Sequence, residues 1–500
     1  MLHILDFGTV TLPAHLDAPP VPAPHGHLVR SAAPALLHPF GDAEFFRHGW
    51  NSWSPTAWTR LSGETVGIKD SPNRLLTADD AANETPHAHS GSGVAALAAG
   101  DGNVLLVGAL GLGAPRVGAD VHTMWARSDD PDAEWYVGYG PEREVFAVYA
   151  ELVADRLGRR SGRAGRVWCS WYSFFEELDE ELIGRTVADT EGYEFDVFQL
   201  DDGWEPMVGD WVAGPGFPSG MAATAERIAA AGFRPGLWLA PLIALPESDI
   251  ARTRPDLLVH DEAGAPLIAG YNWGSHYYVL DTTLPEVADH LRAVFERVVG
   301  WGFTYLKLDF MYAGAIPGVR STGVHREEAY RQAVQHIREV VGDDVYLLGC
   351  GVPMLPSVGV FDGARVGPDV AAFWDNAERS GDPSGVGARN SLVTSLSRAW
   401  MRPLFEIDPD VAYVRSARSL LGPVERGVLR DASLAVGFRS TSDPIGWLTD
   451  GERDELRAYL AAQPVVEQVG RYAFRLDDRV ADFAPYVDGT AHIDPASWAG

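Results

Sequence analysis

The chain has 500 residues, a hydrophobic content of 46% and a formal net charge of −29. That length exceeds what one compact core accommodates, so two or three structural units are expected. The negative charge argues against partners that are themselves anionic, such as nucleic acid or an acidic membrane surface, and says nothing against a neutral substrate.

Cysteine content and hydropathy bear on the compartment. The two cysteines, Cys169 and Cys350, are too few for a disulfide framework. The N-terminus has no basic stretch followed by an apolar run of signal-peptide length. No stretch reaches the roughly 18 apolar residues that a membrane span needs. We therefore expect a cytoplasmic protein without membrane association.

The first 158 residues differ in pattern from the rest. Short apolar bursts alternate with Gly, Pro and Asp turn signals about every ten residues, a spacing typical of antiparallel β-structure. This pattern predicts an N-terminal β-sandwich-like domain over residues 1–158. Helical periodicity first becomes clear at residues 144–157, and a polar connection follows it.

From residue 166 short apolar strands alternate with amphipathic segments. The helical patterns include residues 221–231, 284–299 and 327–341. The predicted strands are residues 167–174, 197–202, 234–241, 304–310, 345–351, 363–369, 404–408 and 432–438. Eight such units over about 300 residues predict a (β/α)₈ TIM barrel, with a doubly wound sheet as the structural alternative.

The predicted fold class is therefore a multidomain α/β protein. Its catalytic barrel occupies residues 159–464, and the last barrel helix is predicted at residues 452–462. Residues 465–500 are expected to form a small C-terminal β region.

Carboxylates interrupt the apolar strands at their carboxyl ends. Asp201 and Asp202 follow the second predicted strand, Asp309 the fourth and Asp369 the sixth. One strand-end carboxylate usually caps a helix. Four on three strands, accompanied by Lys307 and Arg365, instead indicate a site, because the loops after barrel strands build the active site of this fold.

Such a mixture of carboxylates, cations and tryptophans suits glycoside hydrolysis. That reaction needs one carboxylate nucleophile and one protonated carboxyl, because its transition state is oxocarbenium-like. The sequence has no phosphate-binding GxxxxGK[ST] loop, and the barrel strand ends have no histidine cluster. We therefore expect no cofactor and no metal.

At these strand ends the sequence resembles glycoside hydrolase family 36, which contains bacterial α-galactosidases (melibiases) and raffinose-type transferases. Six motifs occur in family order between about residues 165 and 375: WCSWY (168–172), FQLDDGW (198–204), PGLWLAP (235–241), YLKLDF (305–310), GCGVP (349–353) and RVGPD (365–369). HGWNSWSP (48–55) resembles the N-terminal loop that reaches the active site in this family. The resemblance covers roughly residues 50 to 410.

The resemblance implies a role for each matching residue. Asp309, in the K-x-D motif, takes the role of catalytic nucleophile, and Asp369, in R-x-G-P-D, that of acid/base. The implied substrate-binding residues are Asp201 and Asp202 for the O4 and O6 hydroxyls, Lys307 and Arg365 for the remaining ring hydroxyls, Cys350 and Gly351 near the 2-position, and Trp171, Trp238 and Trp53 as apolar walls.

Strand geometry makes this division of labour reasonable. Lys307 lies two residues before Asp309, so both side chains point to the same face of a strand. A cation nearby favours the ionised form that a nucleophile requires. Asp369 must instead carry a proton until it donates it to the leaving oxygen. The expected reaction is double displacement through a galactosyl–Asp309 intermediate, with retention of configuration.

The resemblance implies a galactosyl oligosaccharide substrate of the melibiose or raffinose type. Three other functions stay open: an α-N-acetylgalactosaminidase, a raffinose-type α-galactosyl transferase and a non-catalytic sugar-binding protein. The N- and C-terminal regions are shorter than in larger members, which use the extra surface for oligomerisation. A homo-oligomer is therefore left open.

Overall fold

A computed structural model of the chain describes residues 1–66, 88–379 and 381–499. The N-terminal strands, in chain order, are β1 (Leu2–Asp6), β2 (Thr11–His15), β3 (Val21–Ala23), β4 (Gly26–Arg30), β5 (Ala35–Leu37), β6 (Glu44–Arg47), β7 (Ala57–Arg60), β8 (His89–Ser92), β9 (Val94–Ala98), β10 (Asn103–Ala109), β11 (Arg116–Ala119), β12 (Thr123–Arg127) and β13 (Glu134–Pro141). Helix α1 (Glu142–Leu157) follows them directly.

These strands form two antiparallel sheets. The order in one sheet is β1–β2–β5–β12–β11–β8, and in the other it is β3–β4–β13–β10–β9–β6–β7. Helix α1 buries Val145, Tyr149 and Val153, and the Tyr149 hydroxyl donates to the carbonyl of Ala109 in β10 at 2.9 Å. The β-structure predicted for this region is confirmed, while its packing as a sandwich stays a prediction.

The following strands are β14 (Arg166–Cys169), β15 (Val197–Leu200), β16 (Arg234–Leu239), β17 (Ile243–Ala244), β18 (Ile268–Asn272), β19 (Ser275–Val279), β20 (Tyr305–Leu308), β21 (Tyr346–Gly349), β22 (Gly363–Arg365), β23 (Glu406–Asp408) and β24 (Arg439–Thr441). The interleaved helices are α2 (Trp171–Phe174), α3 (Glu180–Thr190), α4 (Met221–Ala230), α5 (Asp249–Thr253), α6 (Pro285–Gly300), α7 (Arg326–Val341), α8 (Met354–Ser357), α9 (Ala388–Ser397), α10 (Pro423–Val436) and α11 (Asp450–Ala461).

Eight of these strands form one parallel sheet in the order β23–β22–β21–β20–β16–β15–β14–β24. The first and last strands in this order are not hydrogen-bonded to each other in the described residues, so the sheet is a nearly closed barrel, consistent with the TIM barrel expected. Strands β15, β20 and β21 are buried along their whole length, which explains why their sequences are mostly apolar.

Helix boundaries follow local capping signals. The Asp179 carboxylate accepts from the Leu182 amide at the start of α3. Thr449 and Glu452 form a reciprocal capping box at the start of α11. Gly437 ends α10 with φ 90°, a left-handed conformation that costs a glycine little. Between β16 and β20 the chain adds a small antiparallel sheet of order β17–β19–β18.

Two strand predictions need correction. The eighth strand predicted at residues 432–438 is wrong: these residues continue α10, whose buried Val428, Leu429, Ala432 and Val436 have helical spacing. The true eighth strand, β24, has the sequence RST and lacks an apolar run. The first strand ends at Cys169 instead of residue 174, because Trp171–Phe174 form α2.

The C-terminal region confirms the β-structure expected there. Strands β25 (Val466–Gly470), β26 (Ala473–Leu476) and β27 (Arg479–Asp482) form an antiparallel sheet, and helix α12 (Ala484–Val487) follows them. In the part of the chain described, no helix combines the length and apolar character needed to cross a membrane.

Candidate active site

Parallel strands bring the predicted residues to one end of the barrel. β15, β16, β20, β21 and β22 are consecutive neighbours in the sheet, so their carboxyl ends lie side by side. The residues at or just beyond those ends are Asp201, Asp202, Trp238, Asp309, Cys350, Gly351 and Arg365. This shared edge explains why residues far apart in the sequence form one cluster.

Asp309 is held in a fixed orientation. Its Oδ1 accepts from the Phe310 amide at 2.8 Å, and its Oδ2 accepts from the indole N–H of Trp238 at 3.0 Å. The Lys307 ammonium lies 3.8 Å from the same Oδ2. Phe310 has φ 54°, a left-handed conformation uncommon for a large side chain. The turn after β20 thus fixes the Asp309 carboxylate.

Lys307 bridges two carboxylates. Its Nζ donates to Asp201 Oδ2 at 2.8 Å in addition to lying near Asp309. Burial alone would lower the pKa of Lys307, but the Asp201 and Asp309 carboxylates raise it well above its usual value, so the ammonium is charged. The predicted pairing of Lys307 with Asp309 on one strand face is therefore present, with Asp201 as the nearer partner.

Protein donors surround Asp201. The Gln199 amide donates to its Oδ2 at 2.6 Å and the Cys169 thiol at 3.4 Å, in addition to Lys307. Burial raises the pKa of Cys169, which keeps that thiol protonated and able to donate. The Asp201 amide in turn donates to the hydroxyl of Ser170 at 2.9 Å. Asp201 therefore positions Lys307.

Asp202 belongs to a different pair. Its Oδ2 accepts from the indole N–H of Trp273 at 2.7 Å, and its carboxyl interacts electrostatically with that of Glu205. Burial raises the pKa of Asp202 to about 6 and that of Glu205 well above its usual value. Two interacting carboxyls whose pKa values are both raised titrate as a pair, so this pair holds a proton at a pH where a free aspartate has released its own.

Asp369 lies at the other side of the cluster. Its Oδ1 accepts from Arg365 Nη2 at 2.8 Å, and the same nitrogen lies 2.8 Å from Asp410 Oδ2. Arg365 is buried, whereas the Asp369 side chain is 37% exposed. The exposure matters because the Asp309 side chain is only 10% exposed, so Asp369 is the more accessible of the two carboxylates to an incoming group.

The N-terminal region contributes one wall. Trp53 packs with its ring 5.2 Å from that of Phe310. Gly351 has φ 59°, and a Cβ there would lie 3.0 Å from the Trp53 ring, so only glycine permits this approach. Cys350 beside it is buried, which raises the pKa of its thiol. This part of the barrel mouth is closely packed.

Arg398 fastens the loop that carries Trp53. Its Nη1 donates to the carbonyls of Ser52 at 2.7 Å and Val366 at 2.9 Å. Its Nη2 donates to the carbonyls of Gly49, Asn51 and Ser54 at 3.1, 2.8 and 3.3 Å. One buried guanidinium therefore joins the N-terminal loop to the backbone next to Arg365.

The remaining aromatic residues lie around the carboxylates. Trp238 is buried, and Trp273 places its ring 6.4 Å from that of Trp238 and 5.0 Å from that of Phe310. Trp171 is half-buried on α2, with its ring 5.3 Å from that of Phe175. It follows Ser170, the residue that holds the Asp201 backbone.

Sequence reasoning missed several residues of this cluster. Trp273 lies in the hairpin between β18 and β19, outside the barrel strands, and no strand pattern pointed to it. Glu205 and Asp410 had a usable signal: each lies two or three residues beyond a carboxylate at a strand end, in DDGWE and EIDPD. The hydroxyl of Tyr172, next to Trp171, donates to Asp410.

Within residues 1–66, 88–379 and 381–499 no group of three or more His, Cys, Asp or Glu side chains has the arrangement of a metal site. What the barrel mouth does contain is two carboxylates of different exposure, each next to a buried cation, between tryptophan walls. Such a constellation is that of a glycoside hydrolase.

Comparisons with known proteins agree with that class. The Melibiase family model matches residues 149–341. The α-galactosidase TtGalA from Thermus thermophilus, solved in complex with p-nitrophenyl α-D-galactopyranoside, superposes with a TM-score of 0.91 at 40% identity, over 97% of this chain and 100% of that chain. Its complex with stachyose gives a TM-score of 0.87 at 41% identity, over 92% and 99% of the two chains.

A more distant relative is the α-galactosidase AgaA from Geobacillus stearothermophilus, 29% identical over 205 residues. That alignment covers 37% of this chain and 26% of the relative, so the match spans about a quarter of its length. The AgaA crystal structure, described as a GH36 α-galactosidase, has a TM-score of 0.61 at 15% identity, over 90% of this chain and 65% of that one, which is a likeness of fold. Because the similarity to TtGalA extends over both whole chains, this chain belongs to the α-galactosidase family of glycoside hydrolases, family 36.

Proposed function

We propose that the chain is a retaining α-galactosidase that hydrolyses terminal non-reducing α-D-galactosyl residues. The observation that carries the proposal is the difference in burial and hydrogen-bond partners between two carboxylates. Asp309 is buried and oriented by the Trp238 indole and the Phe310 amide, while Asp369 is more exposed and held by Arg365. TtGalA, solved with an aryl α-galactoside and with stachyose, supports galactose as the sugar.

In the first step Asp309 Oδ attacks the anomeric carbon of the galactosyl residue. The bond to the leaving oxygen breaks as Asp369 donates its proton to that oxygen, giving a galactosyl–Asp309 ester and the free leaving group. Lys307 remains charged beside Asp309 and Asp201. In the second step Asp369, now a carboxylate, removes a proton from water, which attacks the anomeric carbon and releases Asp309. Two inversions give net retention.

The remaining substrate contacts are part of the proposal. Asp201 and Asp202 would hold the O4 and O6 hydroxyls, and Lys307 and Arg365 the other ring hydroxyls. Trp238, Trp53 and Trp171 would form apolar walls, because flat rings pack against sugar faces. Cys350 and Gly351 would lie near the 2-position, where the contact between Gly351 and Trp53 leaves little room for an N-acetyl group. Raffinose-type oligosaccharides are the substrates that we propose.

The domain division, the cellular location and the oligomeric state are also part of the proposal. The chain would divide into a β-sandwich domain (1–158), the catalytic barrel (159–464) and a C-terminal β region (465–500). A cytoplasmic location is supported by Cys169 and Cys350, which are both buried and unpaired. A homo-oligomer stays a prediction.

The test is a panel of p-nitrophenyl glycosides that differ only at the 2- and 4-positions. We expect cleavage of the α-galactoside and at least about tenfold slower cleavage of the α-N-acetylgalactosaminide and α-glucoside. Cleavage of the glucoside alone would refute the choice of galactose. Proton NMR of the first-formed product should show the α-anomer, and an initial β-anomer would refute retention. Product analysis at high raffinose concentration separates hydrolysis from galactosyl transfer.

A further inference from the structure

Strand β23 supplies a buried carboxylate next to the proposed general acid. Arg365, the last residue of β22, is the register partner of Asp408 in β23, and Asp410 follows two residues later. Asp410 Oδ2 and Asp369 Oδ1 both lie 2.8 Å from the same nitrogen, Arg365 Nη2. Two carboxylates thus compete for one guanidinium nitrogen.

The two carboxylates differ in the donors that they receive. The amides of Val370 and Val411 donate to Asp410 at 2.9 and 2.8 Å, and the Tyr172 hydroxyl donates to it as well. In the described part of the chain, the Asp369 carboxylate has the one hydrogen bond from Arg365. Donors to a carboxylate stabilise its charged form, so this arrangement favours charge on Asp410 over charge on Asp369.

We propose that Asp410 is a positioning residue for the general acid: by carrying the negative charge that balances Arg365, it leaves the catalytic proton on Asp369. The inference rests on the proposed function, in which Asp369 is the acid/base. Asp410 itself would not touch the substrate, because it is buried behind Arg365, Tyr172 and the Val370 amide.

Burial disfavours the charged form of Asp410, which its proposed role requires. It is the largest effect and raises the pKa of Asp410 to about 7, with the Asp369 and Asp408 carboxylates raising it further and Arg365 and the Tyr172 hydrogen bond lowering it. Two carboxylates that share one cation titrate as a pair, and the pair keeps one proton over a range of pH. The question is which member keeps it, and three donors besides the shared Arg365 favour Asp369 as the protonated one.

Other titratable groups surround the pair. Asp408 on β23 is buried, which raises its pKa to about 6, and Lys307 lies within its electrostatic reach. The groups from neighbouring elements that interact with Asp369 stay protonated, because burial raises the pKa of each of them: Tyr172 on α2, Cys350 after β21 and Tyr413 after β23. Arg365 and Asp410 are therefore the charged groups in contact with Asp369.

The test is the pH dependence of kcat/KM for the variant Asp410→Asn. Its alkaline limb reports loss of the proton from the general acid of the free enzyme. Without the Asp410 charge, Arg365 keeps its 2.8 Å contact with Asp369 and, apart from its weaker interaction with Asp408, stabilises Asp369 in ionised form. We expect the limb to move to lower pH by about one unit, measured on an alkyl α-galactoside, whose poor leaving group requires an acid. A limb that coincides with that of the wild type would overturn the inference, because asparagine mimics a protonated Asp410.

Two further variants guard against a general structural effect. Tyr172→Phe removes one donor from Asp410 but keeps its charge, so we expect a shift in the same direction and smaller. Should Asp410→Asn fail to fold, an unchanged limb in Tyr172→Phe would overturn the inference by itself. Asp443→Asn is the matched control, since Asp443 is a buried carboxylate whose Oδ1 lies 3.4 Å from Arg415. It should leave the limb in place, and an equal shift in this control would also refute the inference.

Failure of this inference is distinguishable from failure of the proposed function. If the wild type does not hydrolyse α-galactosides, or if Asp369→Asn retains normal activity on the alkyl substrate, the proposed function fails. If both behave as expected and Asp410→Asn keeps the wild-type limb, the role of Asp410 alone is refuted.

Discussion

On each side of the barrel mouth one cation is shared by two carboxylates, but the two sides differ in solvent exposure. On one side Lys307 lies between Asp201 and Asp309, at 2.8 and 3.8 Å, and all three are buried. On the other side Arg365 lies 2.8 Å from both Asp369 and Asp410, and the Asp369 side chain is 37% exposed. One cation shared by two carboxylates can thus serve the proposed nucleophile, which is buried, on one side and the proposed general acid, which is solvent-accessible, on the other.

The difference lies in which carboxylate receives the closer contact. Lys307 is nearer to Asp201 than to Asp309, so the proposed nucleophile has a charged neighbour without a short ion pair. Arg365 Nη2 lies at the same distance from Asp369 and Asp410. The other hydrogen-bond donors therefore determine which of the two carboxylates is charged. A nucleophile has to be charged and free to attack, while an acid has to keep a proton.

The variant Asp309→Ala tests the buried side and should have the largest effect. Loss of the nucleophile should reduce kcat/KM for an aryl α-galactoside on the order of 10⁴-fold or more. Circular dichroism and thermal unfolding should remain close to those of the wild type, because the change removes a carboxylate and creates little cavity. Near-normal hydrolysis by this variant would remove Asp309 from the mechanism.

The variant Asp369→Asn tests the exposed side, and its effect should depend on the leaving group. Alkyl α-galactosides should lose about 10²- to 10⁴-fold in kcat/KM, because their leaving oxygen needs a proton. An aryl galactoside with an acidic phenol should lose far less in the same parameter. Equal losses on both substrates would contradict the role of Asp369 as a general acid, and Asp309→Ala provides the comparison in which both substrates fail alike.

The residues at the strand ends were largely predictable from sequence on both sides, including Arg365 and Asp369, whereas the partners beyond them were not. Asp201, Lys307 and Asp309 stand at or next to the ends of apolar strands, so alternation along a strand and parallel pairing of neighbours place them together. The partners that decide protonation, Asp410, Tyr172 and Glu205, come from turns beyond the strand ends. Turn conformation depends on tertiary contacts, and sequence spacing does not give the direction of those side chains.

The barrel itself shows the same limit. Seven strands overlap predicted segments, whereas β24 (RST) does not, and residues 432–436 of the apolar segment that suggested the eighth strand belong to α10. A short apolar run does not by itself distinguish a buried strand from the buried face of a helix. Trp273 lies on an inserted hairpin whose position no strand count could give.

The variant Lys307→Met tests whether the buried side depends on its cation. Asp201 and Asp309 would remain buried without a counter-charge, which costs about 3–5 kcal/mol when one partner of a buried ion pair is removed. We expect the free energy of unfolding, measured by urea denaturation at pH 7, to fall by about that amount. The control is the exposed Arg185 on α3, which pairs with Glu181 at the surface, and Arg185→Met should change the unfolding free energy by less than about 1 kcal/mol. Equal losses in the two variants would refute the buried-cation argument.

The pair Asp202–Glu205 sharpens the comparison, because burial raises the pKa of both its carboxyls, whereas each of the other pairs shares a cation. Its raised pKa values mean that the folded state holds a proton which the unfolded chain releases near pH 4. The stability that this pair contributes is therefore present below about pH 4 and is lost as the pH rises through about 6. Replacing Glu205 by Gln supplies a permanent donor and should make that fall shallower by on the order of 1 kcal/mol.

The measurement is urea denaturation at intervals between pH 4 and 7. Glu226→Gln, an exposed change on α4, should reproduce the wild-type slope. A wild-type slope in Glu205→Gln as well would show that the pair does not share a proton.

The five carbonyls that accept hydrogen bonds from Arg398 bear on when, during synthesis, the Trp53 loop reaches its final position. Four of them belong to residues 49–54 and are made early in translation, while Arg398 itself is made much later, the separation from Ser52 being 346 positions. At about 5–20 residues per second, the ribosome needs on the order of tens of seconds to cover that distance. Backbone hydrogen bonds to residues 352–354 become available earlier, but in a nascent chain the four loop carbonyls lack their guanidinium donor until Arg398 has been made.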